Sequence, residues 1–301
     1  MLSNDYIKKT ARNAGFDLCG VARCKPLPRN ETFFREWLDR GCAAGLDYLK
    51  RNLDKRFDPS RLVEGAATVV VCAAAYKNPI SDGYDDGCRT KVASYACTRD
   101  YHASVKEMLR RMFDDLRSVS PALSGRIFVD SAPILEKQFA VEAGLGWIGR
   151  QSLLVTPQHG TFVLLGELVL TEEADRYDSP LSGAGCGECR RCIESCPTGA
   201  VLGEMTIDAS RCISCATVEG RAAADVPLHG WIFGCDCCQS CCPYNRRAPY
   251  GTGERFAPLF DPRTMNADDW RSLSDAEFAQ RFGTTPLMRS GLQRIKDNIG
   301  K

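Results

Sequence analysis

Residues 186–197, CGECRRCIESCP, place four cysteines at intervals of two, two and three residues, with a proline after the last. This is the Cys-x2-Cys-x2-Cys-x3-Cys-Pro spacing of bacterial ferredoxins. In those proteins the first three thiolates bind one [4Fe–4S] cluster and the fourth binds a second. The spacing therefore demands another cysteine-rich stretch, and residues 234–245, GCDCCQSCCPYN, supply it.

The second stretch is one ligand short of a full repeat. Counting back from Cys242, Cys238 and Cys235 stand at the expected spacing, but the next position is Ile232, which cannot bind iron. Cys212, in RCIS, is the nearest candidate for the missing ligand. The predicted ligands are Cys186, Cys189, Cys192 and Cys242 for cluster 1, and Cys196, Cys212, Cys235 and Cys238 for cluster 2. Cys215, Cys237 and Cys241 are surplus, so the second ligand set stays open.

The alternative interpretation is a pair of structural zinc sites built from Cys-x2-Cys pairs. Zinc needs two separable groups of four ligands but does not need the ferredoxin spacing twice. Eleven of the 17 cysteines lie between residues 186 and 242, and the other six are scattered. We expect the scattered thiols to be small core residues rather than disulfides. The pattern predicts a redox protein with two iron–sulfur clusters that carry single electrons.

Composition limits the partners and the compartment. The 301 residues include 39 basic and 38 acidic side chains, so a nucleic-acid partner must be held by a local patch and not by a global positive field. The N-terminus, MLSNDYIKKTARNAGF, predicts an amphipathic helix and lacks the apolar core of a signal peptide. No apolar run of about 18 residues occurs. We expect a soluble, cytoplasmic monomer without a membrane partner.

Residues 1–180 alternate strand and helix patterns, which predicts an α/β (α+β) layered domain. The apolar run at 68–76, TVVVCAAAY, is typical of a strand covered on both faces. Residues 181–250 form the predicted ferredoxin-like domain and residues 251–301 a helical C-terminal segment. Further predicted elements are a helix at 100–119, a strand at 126–130, a helix at 133–144 with proline in its first position, a strand at 161–170, and helices at 267–282 and 286–299.

No nucleotide-binding motif accompanies the clusters. GLGWIG, at 144–149, follows a predicted helix and precedes a strand, the wrong order for a dinucleotide-binding turn. The segment VDSAPILEK, at 129–137, is more informative because Asp130 ends a predicted strand, where ligands bind in open α/β sheets. Asp130 either caps the following helix or donates a proton. The second role requires that burial raise its pKa well above that of a free carboxyl group.

Four motifs together resemble the epoxyqueuosine reductases: VDSAPILEKQFAVEAGLGWIGRQSLLVTP, CGECRRCIESCPTGA, RCISC and GCDCCQSCCPYN. The resemblance runs from KRFDPSRLVEGAATVVV, at 55–71, to TPLMRSGLQRIKDNIG, at 285–300. It implies reduction of epoxyqueuosine to queuosine at the tRNA wobble position, with cobalamin bound by the N-terminal domain and two [4Fe–4S] clusters. It also implies an external one-electron donor of the flavodoxin or ferredoxin type.

The resemblance assigns roles to individual residues. Asp130 corresponds to the family's proposed proton donor. The cobalamin contacts it implies are Arg56, Cys97, Asp130, Gln151, Ser152, Ser214 and Asp236. Cys97 has the alternative role of a packed thiol. The family commonly carries Tyr in place of Cys215 and a non-thiol residue in place of Cys237, which leaves the second cluster's ligands in question.

Arginines near the motifs are the candidates for phosphate contacts. The expected tRNA contacts are Arg221, Arg246 and Arg247, with Arg190 and Arg191 as further candidates, and the alternative for each is an ordinary solvated arginine. Two other functions fit the cofactor plan. One is a reductive dehalogenase, although the twin-arginine signal typical of those proteins is not in the sequence. The other is an electron carrier or a ferredoxin-type subunit, which would bind no corrin.

Overall fold

The structure is a computed structural model that describes residues 1–251 and 253–301. Its strands are β1 (Leu18–Arg23), β2 (Thr68–Ala75), β3 (Lys91–Val92), β4 (Gly125–Phe128), β5 (Trp147–Ile148), β6 (Leu154–Val155), β7 (Val163–Leu170), β8 (Val201–Gly203), β9 (Thr206–Ile207) and β10 (Trp231–Phe233). Its α-helices are α1 (Asn4–Ala14), α2 (Pro28–Asp39), α3 (Leu53–Arg56), α4 (Tyr101–Val119), α5 (Glu136–Glu142), α6 (Arg191–Glu194), α7 (Cys237–Ser240), α8 (Pro243–Arg247), α9 (Ala267–Ser272), α10 (Asp275–Phe282) and α11 (Gly291–Asn298).

A four-stranded sheet in the order β1-β2-β7-β4 organises the N-terminal domain. Every pair of neighbouring strands is antiparallel, which makes the domain α+β. All eight residues of β2 are buried, as the continuous apolar run predicts. The layered domain expected from the sequence is confirmed.

Helices cover both faces of this sheet. Helix α4 packs on one face beside α1 and buries the predicted apolar stripe of Val105, Met108, Leu109, Met112 and Leu116. Helix α5 packs on the other face. Two glycines allow this close packing. A Cβ atom at Gly166 would lie 2.6 Å from Cγ1 of Val105, and one at Gly20 would lie 2.1 Å from the Ala143 carbonyl oxygen.

The segment between β4 and α5 differs from the prediction. The strand ends at Phe128 and the helix begins at Glu136, three residues after the expected Pro133. The chain turns tightly between them, because the Ser131 amide donates to the Val129 carbonyl and the Ile134 amide donates to the Ala132 carbonyl. Asp130 lies in this turn with φ 55°, in the left-handed region. Its side chain lines two cavities that are described below.

The C-terminal helices pack against the rest of the chain. Trp270, Phe282 and Ile295 are buried in an apolar cluster that includes Val92 of β3 and Ile232 of β10. The parallel pairing of β3 with β10 joins the N-terminal domain to the cysteine-rich segment. The predicted helix at 267–282 is divided into α9 and α10. Across residues 1–251 and 253–301, no helix has both the length and the apolar character to cross a membrane.

Candidate functional site

A central cavity of about 470 Å³ lies where the sheet domain meets the cysteine-rich segment. All four cysteines predicted to bind cluster 2 line it, together with the surplus Cys237. Asp130 lines the same cavity, as do Tyr76, Tyr95 and Tyr101. The structure therefore brings a titratable carboxyl group and a set of potential cluster ligands to one cavity.

An outer cavity of about 640 Å³ adjoins the central one. Asp130, Glu136 and Lys137 line both cavities, so these residues form the boundary between them. Arg56 and Ser152 line the outer cavity only. Two aromatic residues, Phe33 and Tyr48, also line it, and they are 39% and 46% exposed. The outer cavity thus opens to solvent past aromatic side chains.

A third cavity, of about 300 Å³, is lined by all four cysteines predicted for cluster 1, and we call it the cysteine cavity. Arg191, Tyr244 and Arg247 complete much of its wall. Gln151 lines both the cysteine cavity and the central cavity. The three cavities therefore form a continuous series, with the central cavity in the middle.

The cysteines surround cavities and do not converge on a point. Within the part of the chain that the structure describes, no three His, Cys, Asp or Glu side chains form a site for a single metal ion. A [4Fe–4S] cluster occupies a volume and needs its four thiolates at separate corners. The cavity-lining arrangement of both cysteine sets has this form. The surplus Cys215 and Cys241 line neither cavity, whereas Cys237 lines the central one.

Asp130 belongs to a chain of polar side chains. Its Oδ2 accepts a hydrogen bond of 2.7 Å from the Tyr101 hydroxyl and lies 3.1 Å from His102 Nε2. His102 Nδ1 lies 2.9 Å from Asp100 Oδ1. A carboxylate only accepts hydrogen bonds, so both ring nitrogens of His102 must donate, which requires the protonated ring.

The electrostatics of this chain overturn one expectation. Burial does not raise the pKa of Asp130 to make it an acid at neutral pH. The hydrogen bond from His102 holds the pKa of Asp130 below its usual range. The hydrogen bonds to Asp100 and then to Asp130 raise the pKa of His102 from 6.5 to about 9. At neutral pH the proton of this pair therefore resides on the imidazole and not on the carboxyl group.

Two further acidic residues, Glu136 and Glu167, lie near Asp130. Glu136 Oε1 accepts the Asp130 amide at 2.5 Å, and burial is the main cause that raises the pKa of Glu136 to about 7. Glu167, in the middle of the sheet, is completely buried, and among the described residues neither of its carboxyl oxygens has a hydrogen-bond partner. Burial and the nearby Glu136 carboxyl raise the pKa of Glu167 well above its usual range. Burial therefore favours the neutral form of Glu167.

A buried network fixes the loop that carries the second cysteine set. Asp236 accepts the Ser94 amide at 2.7 Å and the Gln239 amide group at 3.1 Å. Gln239 in turn accepts the Thr161 hydroxyl at 3.0 Å, and Asn245 donates to that hydroxyl at 2.9 Å. Because the partners come from both domains, the network sets the position of the cysteine loop relative to the sheet.

The structure brings most of the predicted cobalamin contacts together. Asp130, Gln151, Ser214 and Asp236 line the central cavity, and Arg56 and Ser152 line the outer one. Cys97 lines neither of them. It is completely buried in an apolar cluster with Val92 and Ile232, and its thiol faces the Ala93 carbonyl at 3.7 Å. This is the position of a packed thiol, the alternative given above.

The predicted tRNA contacts are divided between two places. Arg221 is exposed, and its side chain lies over Gly45. Arg246 is exposed, and Arg247, also exposed, lines the cysteine cavity. None of the three lines the cavities that contain Asp130.

The sequence reasoning missed several residues of the site. The most important are Tyr101 and His102, which contact Asp130 directly. Asp100 is the N-cap of α4, and its side chain accepts a hydrogen bond from the His102 amide. The run Asp-Tyr-His at the start of a predicted helix could have indicated this cluster of polar residues. Glu136 stood in the quoted VDSAPILEK segment. Glu167 is a charged residue within an otherwise apolar strand, a pattern that marks a buried titratable group.

Fold and site define a class: a redox protein with an acid–base cavity next to two sets of cysteines that are predicted to bind iron–sulfur clusters. Residues 185–245 match the family described as "4Fe-4S double cluster binding domain", so the chain carries a two-cluster domain. Residues 56–131 match "Epoxyqueuosine reductase QueG, DUF1730". An epoxyqueuosine reductase from Cyclobacterium marinum is 37% identical over 97% of this chain and 94% of its own length. The chain belongs to the epoxyqueuosine reductase family.

Other relatives and solved structures agree. An epoxyqueuosine reductase from Leadbetterella byssophila is 35% identical over 97% of this chain and 96% of its own. The structure of epoxyqueuosine reductase from Streptococcus thermophilus matches with a TM-score of 0.84 and 26% identity, covering 97% of this chain and 78% of that one. An epoxyqueuosine reductase solved with an epoxyqueuosine-modified tRNA-Tyr stem loop shares the fold, with a TM-score of 0.85 at 24% identity, over 98% of this chain and 79% of its own.

Proposed function

We propose that this chain reduces epoxyqueuosine to queuosine in the anticodon of tRNA, with cobalamin as cofactor and two [4Fe–4S] clusters as the electron supply. The observation that carries the proposal is the central cavity, which Asp130 and the four cysteines of the second set line together. The family to which the chain belongs has this activity in its name. A plain electron carrier would have no use for a hydrogen-bonded His–Asp pair in such a cavity.

The residues around the two larger cavities fit a corrin ring with polar side groups. Gln151 is 2% exposed and lines both the central cavity and the cysteine cavity. Arg56 has a buried Nε without a partner in the part of the chain that the structure describes. Such groups fit the amide side chains of cobalamin, and Ser152, Ser214 and Asp236 would hold others. Ser152 is held with φ 64°, a strained conformation of the kind found at binding sites.

Bound cobalamin would supply a cobalt centre that accepts single electrons and acts as a nucleophile towards the epoxide-bearing ring. Removal of the epoxide oxygen as water consumes two electrons and two protons and leaves an alkene. The chain's own residues must therefore deliver protons to an oxygen that is a poor leaving group as an alkoxide. General acid assistance of this kind contributes about 10²–10⁴-fold to the rate.

The His102–Asp130 pair provides the first proton. Asp130 is 45% exposed at its side chain and faces both cavities, so it reaches the substrate oxygen, whereas His102 holds the proton at neutral pH. The Asp130 carboxylate accepts the proton from the His102 imidazole and transfers it to the substrate oxygen. Tyr101 fixes the orientation of the carboxyl group through its hydrogen bond. Glu136, which lines both cavities and has a pKa of about 7, provides the second proton.

The outer cavity gives the substrate base its way in. Phe33 and Tyr48 at its rim offer exposed aromatic faces for stacking, which is how proteins hold unstacked RNA bases. Arg29 lines the same cavity, and the exposed Arg221 is a further phosphate contact. In this arrangement the base reaches Asp130 through a cavity that shares no lining residue with the cysteine cavity.

The test is anaerobic turnover of a tRNA anticodon stem loop that carries epoxyqueuosine, followed by mass spectrometry of the nucleosides. The iron-loaded protein should form queuosine only when cobalamin and a reductant are present. Asp114→Asn, an exposed aspartate on α4, is the matched control for Asp130→Asn and should keep full activity. Formation of queuosine without cobalamin, or none from fully loaded protein, would contradict the proposal.

A further inference from the structure

We propose that the arginine-rich surface around the cysteine cavity docks an acidic one-electron carrier protein, and that tRNA does not bind there. The proposal rests on the proposed function, because it identifies where the electrons for that reaction enter. It assigns Arg190, Arg191, Arg246 and Arg247 to an electron-donor surface, which we call the donor surface. Arg246 and Arg247 were expected from the sequence to contact tRNA.

The donor surface has a strong local charge in a chain that carries a net charge of only +1. The two segments that carry cluster 1, residues 186–197 and 242–250, contain these four arginines and two glutamates, Glu188 and Glu194. All four arginines are exposed, and none forms an ion pair in the described residues. A fifth, Arg150, donates to the Gly187 carbonyl at 2.8 Å and so packs against the same loop. Four arginines and two glutamates leave a local net charge of +2, and a positive patch of this kind attracts acidic partners.

The position of the donor surface decides between a protein donor and tRNA. Arg191 and Arg247 line the cavity that holds the cluster 1 cysteines, so a carrier docked there lies next to that cluster. The cysteine cavity shares Gln151 with the central cavity but shares no lining residue with the outer cavity. Electrons that enter at cluster 1 therefore pass through cluster 2 before they reach the cavity with Asp130. The tRNA base, by contrast, must reach Asp130 itself.

The chemistry of the step is simple electron transfer. A reduced carrier of the flavodoxin or ferredoxin type gives up one electron and cluster 1 takes it up, with no bond made or broken. Two such transfers supply the two electrons that the epoxide consumes. These carriers are acidic proteins, and complementary charge raises the rate of encounter between such partners by about 10–10³-fold.

The experiment compares cluster reduction by two reductants in anaerobic stopped-flow. The double variant Arg190→Glu with Arg246→Glu reverses two charges of the donor surface and leaves the cavity-lining Arg191 and Arg247 intact. With reduced flavodoxin as the probe, bleaching of the iron–sulfur absorbance should be at least about tenfold slower than in the wild-type protein. With dithionite, a small reductant that needs no docking surface, the rate should be unchanged. Because tRNA and cobalamin are absent, this readout is independent of the proposed reaction.

Two controls complete the test. Arg12→Glu with Arg110→Glu makes the same charge change on exposed positions of α1 and α4 and should leave the flavodoxin rate unchanged. Arg190→Lys with Arg246→Lys keeps the charge and should keep most of the rate. The wild-type rate should also fall as salt shortens the Debye length from about 10 Å at 0.1 M. An unchanged flavodoxin rate in the double glutamate variant would overturn the proposal. A tenfold loss of stem-loop affinity with an unchanged flavodoxin rate would instead make this surface a tRNA site.

Discussion

Replacing Asp130 by asparagine removes one of the two carboxylates that flank His102, and we expect the pKa of His102 to fall. The two carboxylates raise that pKa from 6.5 to about 9, which corresponds to about 3 kcal/mol of preference for the protonated ring. The hydrogen bond to Asp100 is the larger cause and the one to Asp130 the second. Asp130→Asn should therefore lower the pKa of His102 by roughly one pH unit, and Asp100→Asn by more.

The assay is an NMR titration of the imidazole carbon-bound protons. The imidazole region of the spectrum contains few signals, because the chain contains three histidines. His102→Gln identifies the His102 signal by its loss. A wild-type His102 that titrates near 6.5, or one whose pKa does not respond to Asp130→Asn, would refute the proton assignment.

The same shift has a consequence for stability and rate. A pKa that is higher in the folded than in the unfolded state gives a stabilisation that is fully present below pH 6.5 and is lost as the pH rises through about 9. Turnover should fall over the same alkaline range, because the proton that Asp130 passes on is then absent. Glu136, as the second proton donor, adds a separate fall in turnover as the pH rises through about 7, so in His102→Gln only the part of the alkaline limb near pH 9 should disappear.

The remaining predictions concern other parts of the account. Asp130→Asn should lower turnover by about 10²–10⁴-fold with iron and cobalamin content unchanged, and undiminished turnover would exclude its role. Glu136→Gln should remove the loss of thermal stability that the wild-type protein shows as the pH rises from 4.5 through about 7, and a persisting loss would mean that another group titrates there. Cys212→Ser should reduce iron from about eight to about four atoms per chain, whereas Cys241→Ser should retain all of it; the reverse result would exchange their roles. Gly166→Val should destabilise the fold by about 1–3 kcal/mol through contact with α4, as measured by chemical denaturation, and an unchanged midpoint would show that α4 can move.

Residue spacing in the sequence was sufficient to predict individual secondary-structure elements. Strand β2 follows from an unbroken apolar run, and α4 from apolar residues three and four apart. The ferredoxin spacing predicts the two cysteine sets, with Cys212 as the nearest candidate for the missing ligand. The structure places Cys212 in the wall of the central cavity beside Cys196, although 15 residues separate them in the chain.

Contacts between segments that are distant in the sequence could not be predicted from residue spacing. The start of α4 lies beside the end of β4, and only this approach brings His102 to Asp130. The resulting charge pair lowers the pKa of Asp130, where reasoning from burial alone predicts a rise. The turn after Val129 has a different, local cause. Its backbone hydrogen bonds keep Pro133 out of the helix, which therefore begins at Glu136.

The division of the arginines also required the structure. In the sequence, Arg246 and Arg247 stand next to a cluster motif and carry no sign of which partner they face. Once the three cavities are seen as a series, the arginines lie at the cysteine end and the exposed aromatic residues at the other. In the proposals above, this polarity separates the entry of electrons from the entry of the substrate base.

The most direct test of the account is to locate cobalt in crystals of the iron-loaded protein grown with cobalamin, by anomalous diffraction at the cobalt edge. The peak should lie within the adjoining central and outer cavities, close to Asp130. A cobalt peak outside these cavities, in crystals with full cobalt content, would contradict the account.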